Sequence, residues 1–298
     1  MWFDTPGKVL HVEAARLKVR NESPDRRLRL EGGGRRVWDA QLTRRLGRAI
    51  KQISLVTGAY RPARWLARQT QPRQLRQLRA DVALYRDLLP PESLCFDVGA
   101  NIGEKSEALL KARCRVVAFE PNPLVLPELR ARCGRSKDWQ LVAAAVGAGS
   151  AVATLQARAE HGQSGFVKDW IGNVVGTFEV PVVTLDAAIE HYGVPAYCKI
   201  DVEGWEFEVL RGLSQAVDLI SLEFHLTDRD IAKTRACLEL LEHFGPTKVN
   251  LTPAERAAFH LPEWMPLPAF RAWFPGDLRT TLPGNPYGDI YVSRDPPE

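Results

Sequence analysis

The segment at residues 93–106 combines an apolar run with an acid and two glycines. The run at 94–96 is followed by Asp97 and then by a turn that contains Gly99, Asn101 and Gly103. A stretch with helical character follows at residues 104–111. This order predicts a buried strand, a tight turn and a helix, which is the unit that binds nucleotide-type cofactors in open α/β sheets.

The residue types in this turn disfavour two of the three cofactor classes that such a turn can bind. A dinucleotide fingerprint requires glycine at the position of Asn101, and Asp97 would repel a bound pyrophosphate. A P-loop requires four residues between its glycines, whereas three separate Gly99 from Gly103. S-adenosylmethionine carries an ammonium and a sulfonium, which a carboxylate attracts. The turn therefore favours S-adenosylmethionine, with Asp97, Gly99, Asn101 and Gly103 as predicted contacts.

A second acid follows the next predicted strand. The strand at residues 115–119 ends in Glu120, 23 residues after Asp97. An acid at this position can accept both hydrogen bonds of a ribose diol. Pro121 and Asn122 complete the predicted cofactor contacts. The alternative is that Glu120 is a solvated acid at the start of the following helix.

Two further predicted strands end in groups that suit proton transfer. The strand at residues 197–202 delivers Asp201, and the strand at 218–225 ends in Glu223 and His225. Because ligands of open α/β sheets bind at the carboxyl ends of the strands, these three side chains are expected around one crevice with the cofactor. His225 is predicted to remove the acceptor's proton, and Asp201 to orient the acceptor or the imidazole.

Two other interpretations of this second acidic group stay open. Asp201, Glu223 and His225 could hold a divalent cation that lowers the pKa of an acceptor hydroxyl. No resident metal is expected, because no tight ligand motif such as H-x-x-x-H is present. Alternatively, Lys199 and Asp201 form a structural ion pair, and His225 is an ordinary histidine at a strand end.

These segments resemble the FkbM family of S-adenosylmethionine-dependent methyltransferases. The motifs that carry the resemblance lie in order between about residues 93 and 293: FDVGANIG, FEPNP, V-x-T-L-D, KIDVEGWE, an acid–aromatic–His strand end and GDIYV. The resemblance implies an O-methyltransferase that acts on a hydroxyl group of a small molecule or a sugar.

The order of strands and helices predicts an α/β fold of the class I (Rossmann-like) methyltransferase type. We expect a seven-stranded, mostly parallel sheet with helices on both faces. The short apolar segment at 180–183 is left outside this sheet. The Pro- and Trp-rich segment between the last two strands is expected to lack regular secondary structure. It is expected either to form a wall of the acceptor pocket or to cap the surface. The predicted strands are 94–96, 115–119, 139–146, 197–202, 218–225, 247–251 and 288–293.

The 298 residues divide by charge at Pro90-Pro91. Residues 1–90 contain 20 basic and 8 acidic residues, whereas residues 91–298 contain 20 and 28. The apolar spacing predicts helices at 38–53 and 73–89. We therefore predict a basic, mainly helical extension at 1–90 and a methyltransferase domain at 91–298. The helices are expected to pack on that domain, and their arginines to be solvated or to face its acidic surface. The alternative is that these arginines bind nucleic acid, an acidic lipid surface or a phosphorylated substrate.

The hydropathy pattern and the cysteines indicate where the protein is located, and the basic segment bears on its possible partners. There is no run of 18 apolar residues and no signal-peptide pattern, and the five cysteines are scattered, so the expected location is cytoplasmic. The alternatives to the enzyme are a non-catalytic binding module and a nucleic-acid methyltransferase that uses the basic segment. Nucleic acid is the less favoured partner, because aromatic residues for base stacking are sparse in that segment.

Overall fold

The computed structural model describes residues 72–158, 164–166, 173–254, 256–282 and 287–296. The helix predicted at 38–53 lies outside the described residues. None of the helices in these ranges combines the length and the apolar character that a membrane span requires. The cytoplasmic location stays a prediction.

The described strands and helices alternate along most of the chain. The strands are β1 (Leu94–Val98), β2 (Arg115–Phe119), β3 (Trp139–Val142), β4 (Ala145–Val146), β5 (Ala151–Arg158), β6 (Val174–Val183), β7 (Tyr197–Ile200), β8 (Leu219–His225), β9 (Lys248–Pro253), β10 (Met265–Pro266) and β11 (Tyr287–Ser293). The helices are α1 (Pro72–Leu88), α2 (Glu104–Lys111), α3 (Leu126–Cys133), α4 (Leu185–Tyr192), α5 (Glu206–Arg211), α6 (Asp228–Glu242), α7 (Leu267–Trp273) and α8 (Leu278–Thr281).

The main sheet has the order β3-β2-β1-β7-β8-β11-β9-β10. The first five strands in this order are parallel, and β11 runs antiparallel to both of its neighbours. The predicted mostly parallel α/β sheet is confirmed, with one strand more than the seven expected. The addition is the two-residue β10, which pairs antiparallel with β9 at the edge.

A second sheet of the described residues has the order β4-β6-β5. The predicted strand at 139–146 is therefore two strands, since β3 belongs to the main sheet and β4 to the second. The prediction at 180–183 covered only the end of β6, and β5 was missed. Most residues in the first half of both strands are exposed or only partly buried, so the apolar signal that identifies a strand is weak there.

Helix α1 packs against the main sheet. Leu84, Tyr85 and Leu89 are buried in one cluster with residues of β1, β2 and β7, and the rings of Tyr85 and Tyr197 lie 5.7 Å apart. The arginines of the helix, at positions 73, 76, 79 and 86, are exposed. The helix predicted at 73–89 is thus present and packs by its apolar side. The division of the chain at residue 90 stays a prediction.

The segment expected to be irregular contains β10, α7 and α8 and contributes to the core. Leu267, Phe270, Phe274 and Leu278 are buried, and the rings of Phe274 and Phe224 lie 5.6 Å apart. Four of its apolar side chains thus belong to the core, and the two roles expected for the segment, pocket wall or surface cap, stay predictions.

The packing of α1 can be tested at Tyr85, which is 1% exposed. Tyr85→Ala is expected to lower the free energy of unfolding by about 3–5 kcal/mol, because it leaves a cavity against the sheet. The exposed Arg79→Ala on the same helix should change it by less than about 0.5 kcal/mol. Urea unfolding of both variants is the measurement, and equal effects would show that α1 does not contribute to the core.

Candidate active site

The turn after β1 brings two strand ends into close contact. Gly99 has a φ of 82°, and a Cβ atom there would overlap the carbonyl oxygen of Asp201. The amides of Gly99 and Ala100 both donate to the carbonyl oxygen of Phe119 at 3.0 Å. Glycine is therefore required for the ends of β1, β2 and β7 to meet.

Gly103 and Asn101 shape the rest of this turn. Gly103 has a φ of 81°, and a Cβ atom there would lie 2.6 Å from Leu129 Cδ1, so glycine allows α2 to begin against α3. Asn101 has a φ of 49°, a left-handed conformation that asparagine tolerates better than most residues. This conformation directs the Asn101 amide at the next strand end.

Glu120 is held by two backbone amides at the end of β2. Its Oε2 accepts from Asn101 N and its Oε1 from Asn122 N, both at 2.7 Å. Burial raises the pKa of Glu120 to about 7. The two hydrogen bonds act to lower this pKa, and the charges of Asp97 and Asp201 act to raise it. Each carboxylate oxygen keeps one lone pair for a ligand hydroxyl.

A cavity lies at the carboxyl ends of β1, β2 and β7, which we call the donor cavity. It contains about 620 Å³ of atom-free space, part of which is open solvent. Apolar side chains form one part of it, and Asn101, Glu120, Ser164, Asp201 and Glu203 supply polar groups. Its lining residues are Val98, Gly99, Asn101, Phe119, Glu120, Pro121, Ala144, Ala145, Val146, Leu155, Ser164, Gly165, Phe166, Asp201, Val202, Glu203 and Trp205.

A buried ammonium group lies beneath this cavity. Lys199 Nζ is 2.9 Å from Asp201 Oδ2 and 3.9 Å from Asp97 Oδ1. Burial of Asp201 opposes its ionisation, but the Lys199 charge and hydrogen bond outweigh burial and lower the pKa of Asp201. Burial also favours a neutral lysine, yet the surrounding carboxylates raise the pKa of Lys199. The Lys199–Asp201 pair expected as one alternative is present, and Asp201 also lines the donor cavity.

Asp97 lies below the cavity and does not line it. The residue is fully buried, and its Oδ2 accepts a hydrogen bond of 2.6 Å from Ser106 Oγ in α2. Asp97 therefore contacts Ser106 and Lys199, and its charge also acts on Glu120 in the cavity lining. Gly103 is likewise outside the lining.

Asn122 also supports the cavity from outside its lining. Its Oδ1 accepts from Leu124 N, and its Nδ2 donates to Ser164 Oγ at 3.2 Å. Ser164 Oγ also accepts from Arg158 N at 3.0 Å. Asn122 therefore ties the end of β2 to the short described segment 164–166, which forms one wall of the donor cavity.

Glu223 and His225 lie side by side at the end of β8. His225 Nε2 is 3.4 Å from Glu223 Oε2, and the imidazole stacks on Tyr287 with ring centroids 5.9 Å apart. Burial raises the pKa of Glu223 well above its usual range, and the charges of Asp201, Glu206 and Asp289 add to this effect. The acid beside the imidazole is therefore Glu223, whereas Asp201 is paired with Lys199.

These two residues line a second cavity, which we call the α6 cavity. It contains about 370 Å³ of atom-free space, part of it open solvent. The turn after β7 separates the two cavities, because Glu203 lines the donor cavity and Gly204 the α6 cavity. The lining residues are Gly204, Glu206, Leu222, Glu223, His225, Asp230, Lys233, Thr234 and Cys237.

One acidic group within the described residues has a geometry that could hold a cation. Carboxylate oxygens of Asp201, Glu203 and Glu223 lie within 4.8 Å of one another. The cation ligands proposed from the sequence were Asp201, Glu223 and His225, whereas this group contains Glu203 instead of His225. Asp201 and Glu203 of this group line the donor cavity, where negative charge also suits a sulfonium ligand, whereas Glu223 lines the α6 cavity.

Sequence reasoning missed Asp289. This residue of β11 lies opposite Glu223 in the strand register. Burial raises the pKa of Asp289 to about 6, although the charges of Lys105 and Lys199 act to lower it. The available signal was a charged residue between the buried Gly288 and Ile290 of an otherwise apolar strand.

A family model described as "Methyltransferase FkbM domain" matches residues 97–246, half of the chain, and this match covers the β1 turn, Glu120, Asp201 and the Glu223–His225 pair. The chain belongs to the FkbM methyltransferase family. The resemblance in the sequence motifs is thus confirmed, and this FkbM protein is an S-adenosylmethionine-dependent methyltransferase.

The FkbM chain is also similar to individual methyltransferases. It is 26% identical over 176 residues to the hexuronic acid methyltransferase AglP of Haloferax volcanii, covering 54% of this chain and 70% of AglP. It matches the structure of precorrin-6y C5,15-methyltransferase from Geobacter metallireducens with a TM-score of 0.39 and 15% identity, covering 72% of this chain and 86% of that one. A TehB-like methyltransferase from Corynebacterium glutamicum matches with a TM-score of 0.39 and 10% identity, covering 80% and 99%.

The pKa of Glu120 predicts how cofactor affinity changes with pH in this FkbM methyltransferase. Hydroxyl groups of a ribose need the ionised carboxylate, so S-adenosylmethionine affinity should rise about tenfold between pH 6 and pH 8 as Glu120 loses its proton near pH 7. Calorimetric titration at several pH values measures this change.

Two variants test whether the pH dependence of S-adenosylmethionine binding comes from Glu120 or from another titrating group: Glu120→Gln and Glu190→Gln. Glu120→Gln should weaken binding by about tenfold or more at pH 8 and abolish the pH dependence. The exposed Glu190 of α4 provides the matched control, with binding expected to follow the unaltered protein. A pH dependence that persists in Glu120→Gln would rule out Glu120 as its source.

Proposed function

We propose that this FkbM methyltransferase transfers the methyl group of S-adenosylmethionine to a hydroxyl oxygen of a sugar or another small hydroxylated molecule. The observation that carries the proposal is the Glu223–His225 pair, 3.4 Å apart, at the strand end next to the donor cavity. The similarity to AglP, a hexuronic acid methyltransferase, supports a sugar acceptor.

The residues of the donor cavity fit S-adenosylmethionine. The two oxygens of Glu120 can accept from the two ribose hydroxyls, and Gly99 lines the cavity beside them. Pro121 and the apolar residues at 144–146 and 155 suit an adenine ring. Asp201 and Glu203 place negative charge near the remaining, cationic part of the cofactor.

Several predicted cofactor contacts take supporting roles in this proposal. Asp97 acts through Lys199, Gly103 allows α2 to begin against α3, and Asn122 fixes Glu120 and Ser164. These residues determine where the lining groups lie, and so their loss should weaken binding without removing a direct ligand contact.

The reaction needs a base, because a hydroxyl must lose its proton when it is methylated. S-adenosylmethionine supplies an activated methyl group that an oxygen nucleophile accepts by in-line displacement. His225 is the proposed base, because its imidazole lies beside Glu223 at the strand end next to the donor cavity. Glu223 beside Nε2 orients the ring, and Asp201 orients the acceptor or the donor from the neighbouring strand.

The charge around the transfer point favours a hydroxyl over a carboxylate as the methylated group. Asp201, Glu203 and Glu223 bring their oxygens within 4.8 Å of one another. An acceptor carboxylate placed beside the ionised Asp201 would be repelled, and it would need no base. A neutral hydroxyl avoids this repulsion and uses His225, so we propose ether rather than ester formation.

The proposed base can be tested with two histidine variants. His225→Gln is expected to lower kcat for sugar methylation by about 10²–10⁴-fold, the range of general base catalysis, with S-adenosylmethionine affinity unchanged. His243→Ala changes an exposed histidine that contacts carbonyl groups of its own helix, and it should retain activity. Transfer of an isotope-labelled methyl group to a sugar panel measures kcat, and NMR identifies the methylated oxygen.

Two results of this experiment would contradict the proposal. Activity of His225→Gln within about threefold of the unaltered protein would exclude His225 as the base. A methyl group found on a carboxylate, nitrogen or carbon would exclude hydroxyl methylation.

A further inference from the structure

Four side chains at the ends of β8 and β11 share one face of the main sheet. In the antiparallel register of these strands, Glu223 lies opposite Asp289, and His225 lies opposite Tyr287. Residues that lie directly opposite each other, or two apart on one strand, point to the same side of a sheet. Glu223, His225, Tyr287 and Asp289 therefore form one face, which we call the β8–β11 face.

The β8–β11 face is accessible to a ligand. Its four residues are partly exposed, whereas Phe224, Gly288 and Ile290, which alternate with them along the strands, are buried. Ser221 and Tyr291, two residues deeper on the same strands, are buried as well. The face is therefore open only toward the carboxyl end of β8, where ligands of open α/β sheets bind.

The donor cavity adjoins this face at Glu223. A carboxylate oxygen of Glu223 lies within 4.8 Å of oxygens of Asp201 and Glu203, which line the donor cavity. Strands β7 and β8 are neighbours, so the face continues from the donor cavity toward β11. The proposed base, His225, belongs to this face, and the hydroxyl group that it deprotonates must lie there too.

Asp289 has no role in the proposed mechanism. Within the described residues, its carboxyl group forms no hydrogen bond and no ion pair. Two lysine charges act on it, but each lysine is bound to another acid. Lys105 pairs with Asp81 at 3.0 Å. Lys199 pairs with Asp201 at 2.9 Å. The hydrogen-bonding capacity of Asp289 is thus available to a ligand.

Packing alone does not account for an acid at position 289. Two acids directly opposite each other in a sheet are unfavourable, and Asp289 lies opposite Glu223. Burial opposes the ionisation of both carboxyl groups, and the charge of Asp289 raises the pKa of Glu223 further. Closely spaced acids with shifted pKa values are more typical of functional sites than of structural positions.

The spacing between Asp289 and His225 suits two neighbouring hydroxyl groups. Diagonal neighbours in an antiparallel pair are about 7–8 Å apart, and Asp289 is a diagonal neighbour of His225. A hydrogen bond at each end takes up about 2.7–3.0 Å of this distance. The remainder fits two hydroxyl oxygens on adjacent carbon atoms, one bonded to each side chain.

We propose that Asp289 binds a second hydroxyl group of the acceptor, adjacent to the one that is methylated. The acceptor is then a vicinal diol of a sugar ring, with the methylated oxygen at His225 and its neighbour at Asp289. A carboxyl group can bond to a hydroxyl in either protonation state, as acceptor or as donor. The proposal rests on the proposed function, because it assumes that His225 marks the methylated hydroxyl.

The test is a cycle between protein variants and acceptor analogues. Methyl glycosides of glucose, galactose and mannose are assayed first, and NMR identifies the methylated oxygen. Deoxy analogues that each lack one hydroxyl adjacent to that oxygen are then compared with the parent sugar. The proteins are the unaltered chain, Asp289→Ala, Asp289→Asn and Asp295→Ala. Asp295, exposed just after β11, is the control for loss of an acid.

The unaltered protein is expected to lose about 10–100-fold in kcat/KM when one adjacent hydroxyl is removed, the value of a hydrogen bond to a charged group. Asp289→Ala should lose a similar factor with the parent sugar and should no longer distinguish it from that deoxy analogue. Asp289→Asn should keep part of the distinction, because its amide oxygen still accepts. Asp295→Ala should match the unaltered protein, and S-adenosylmethionine affinity by calorimetry should be the same for all four proteins.

Three outcomes would overturn the inference. If Asp289→Ala lowers kcat/KM equally for the parent sugar and the deoxy analogue, then Asp289 acts only through Glu223 or the fold. If the unaltered protein accepts every deoxy analogue as well as the parent, no adjacent hydroxyl is bound, and the proposed function still stands. If the protein binds S-adenosylmethionine but methylates no sugar hydroxyl, the proposed function fails and the inference fails with it.

Discussion

The active site depends on one buried ammonium group between two carboxylates. Lys199 and Asp97 are neighbours in the register of β7 and β1, and Lys199 also pairs with Asp201 at the end of its own strand. Removing one member of such a buried group costs about 3–5 kcal/mol, because a charge is left uncompensated away from water. The two sequence segments that carry the acids must therefore fold together, and their contact fixes the position of the β1 turn and of Asp201.

The turn after β7, which follows this contact, lies between two separate cavities. Glu203 has a φ of 56°, an unfavourable left-handed conformation for a residue other than glycine, and Gly204 follows with a φ of 90°. Glu206 offsets the strain by accepting from the amides on both sides of Glu203. The result is that Glu203 faces the donor cavity while Gly204 faces the α6 cavity.

The sequence predicted seven of the eight strands of the main sheet, all but the two-residue β10, because buried parallel strands are continuous apolar runs. It also predicted the strand ends that form the candidate site, because the carboxyl ends of parallel strands meet at one edge. It did not predict β5, most of β6, or α7 and α8, whose apolar residues do not follow one clear period.

The sequence also did not predict the directions in which the side chains point. Asp97 and Asp201 both follow apolar runs, yet only Asp201 reaches the donor cavity, because Asp97 lies beneath α2 and bonds to Ser106. Asp289 was overlooked for a related reason, since its partner Glu223 comes from a strand distant in the sequence.

The charge of the site also depends on the segment that precedes the methyltransferase motifs. Asp81 of α1 accepts from Gln77 and pairs with Lys105 of α2 at 3.0 Å. The charge of Lys105 contributes to lowering the pKa of Asp201, and it opposes the rise in the pKa of Asp289 caused by burial. Asp81 fixes the position of that lysine, and Tyr85, one helical turn later, fixes α1 against the sheet. Helix α1 therefore does more than cover the sheet, because through Lys105 it helps to determine whether Asp201 and Asp289 are ionised.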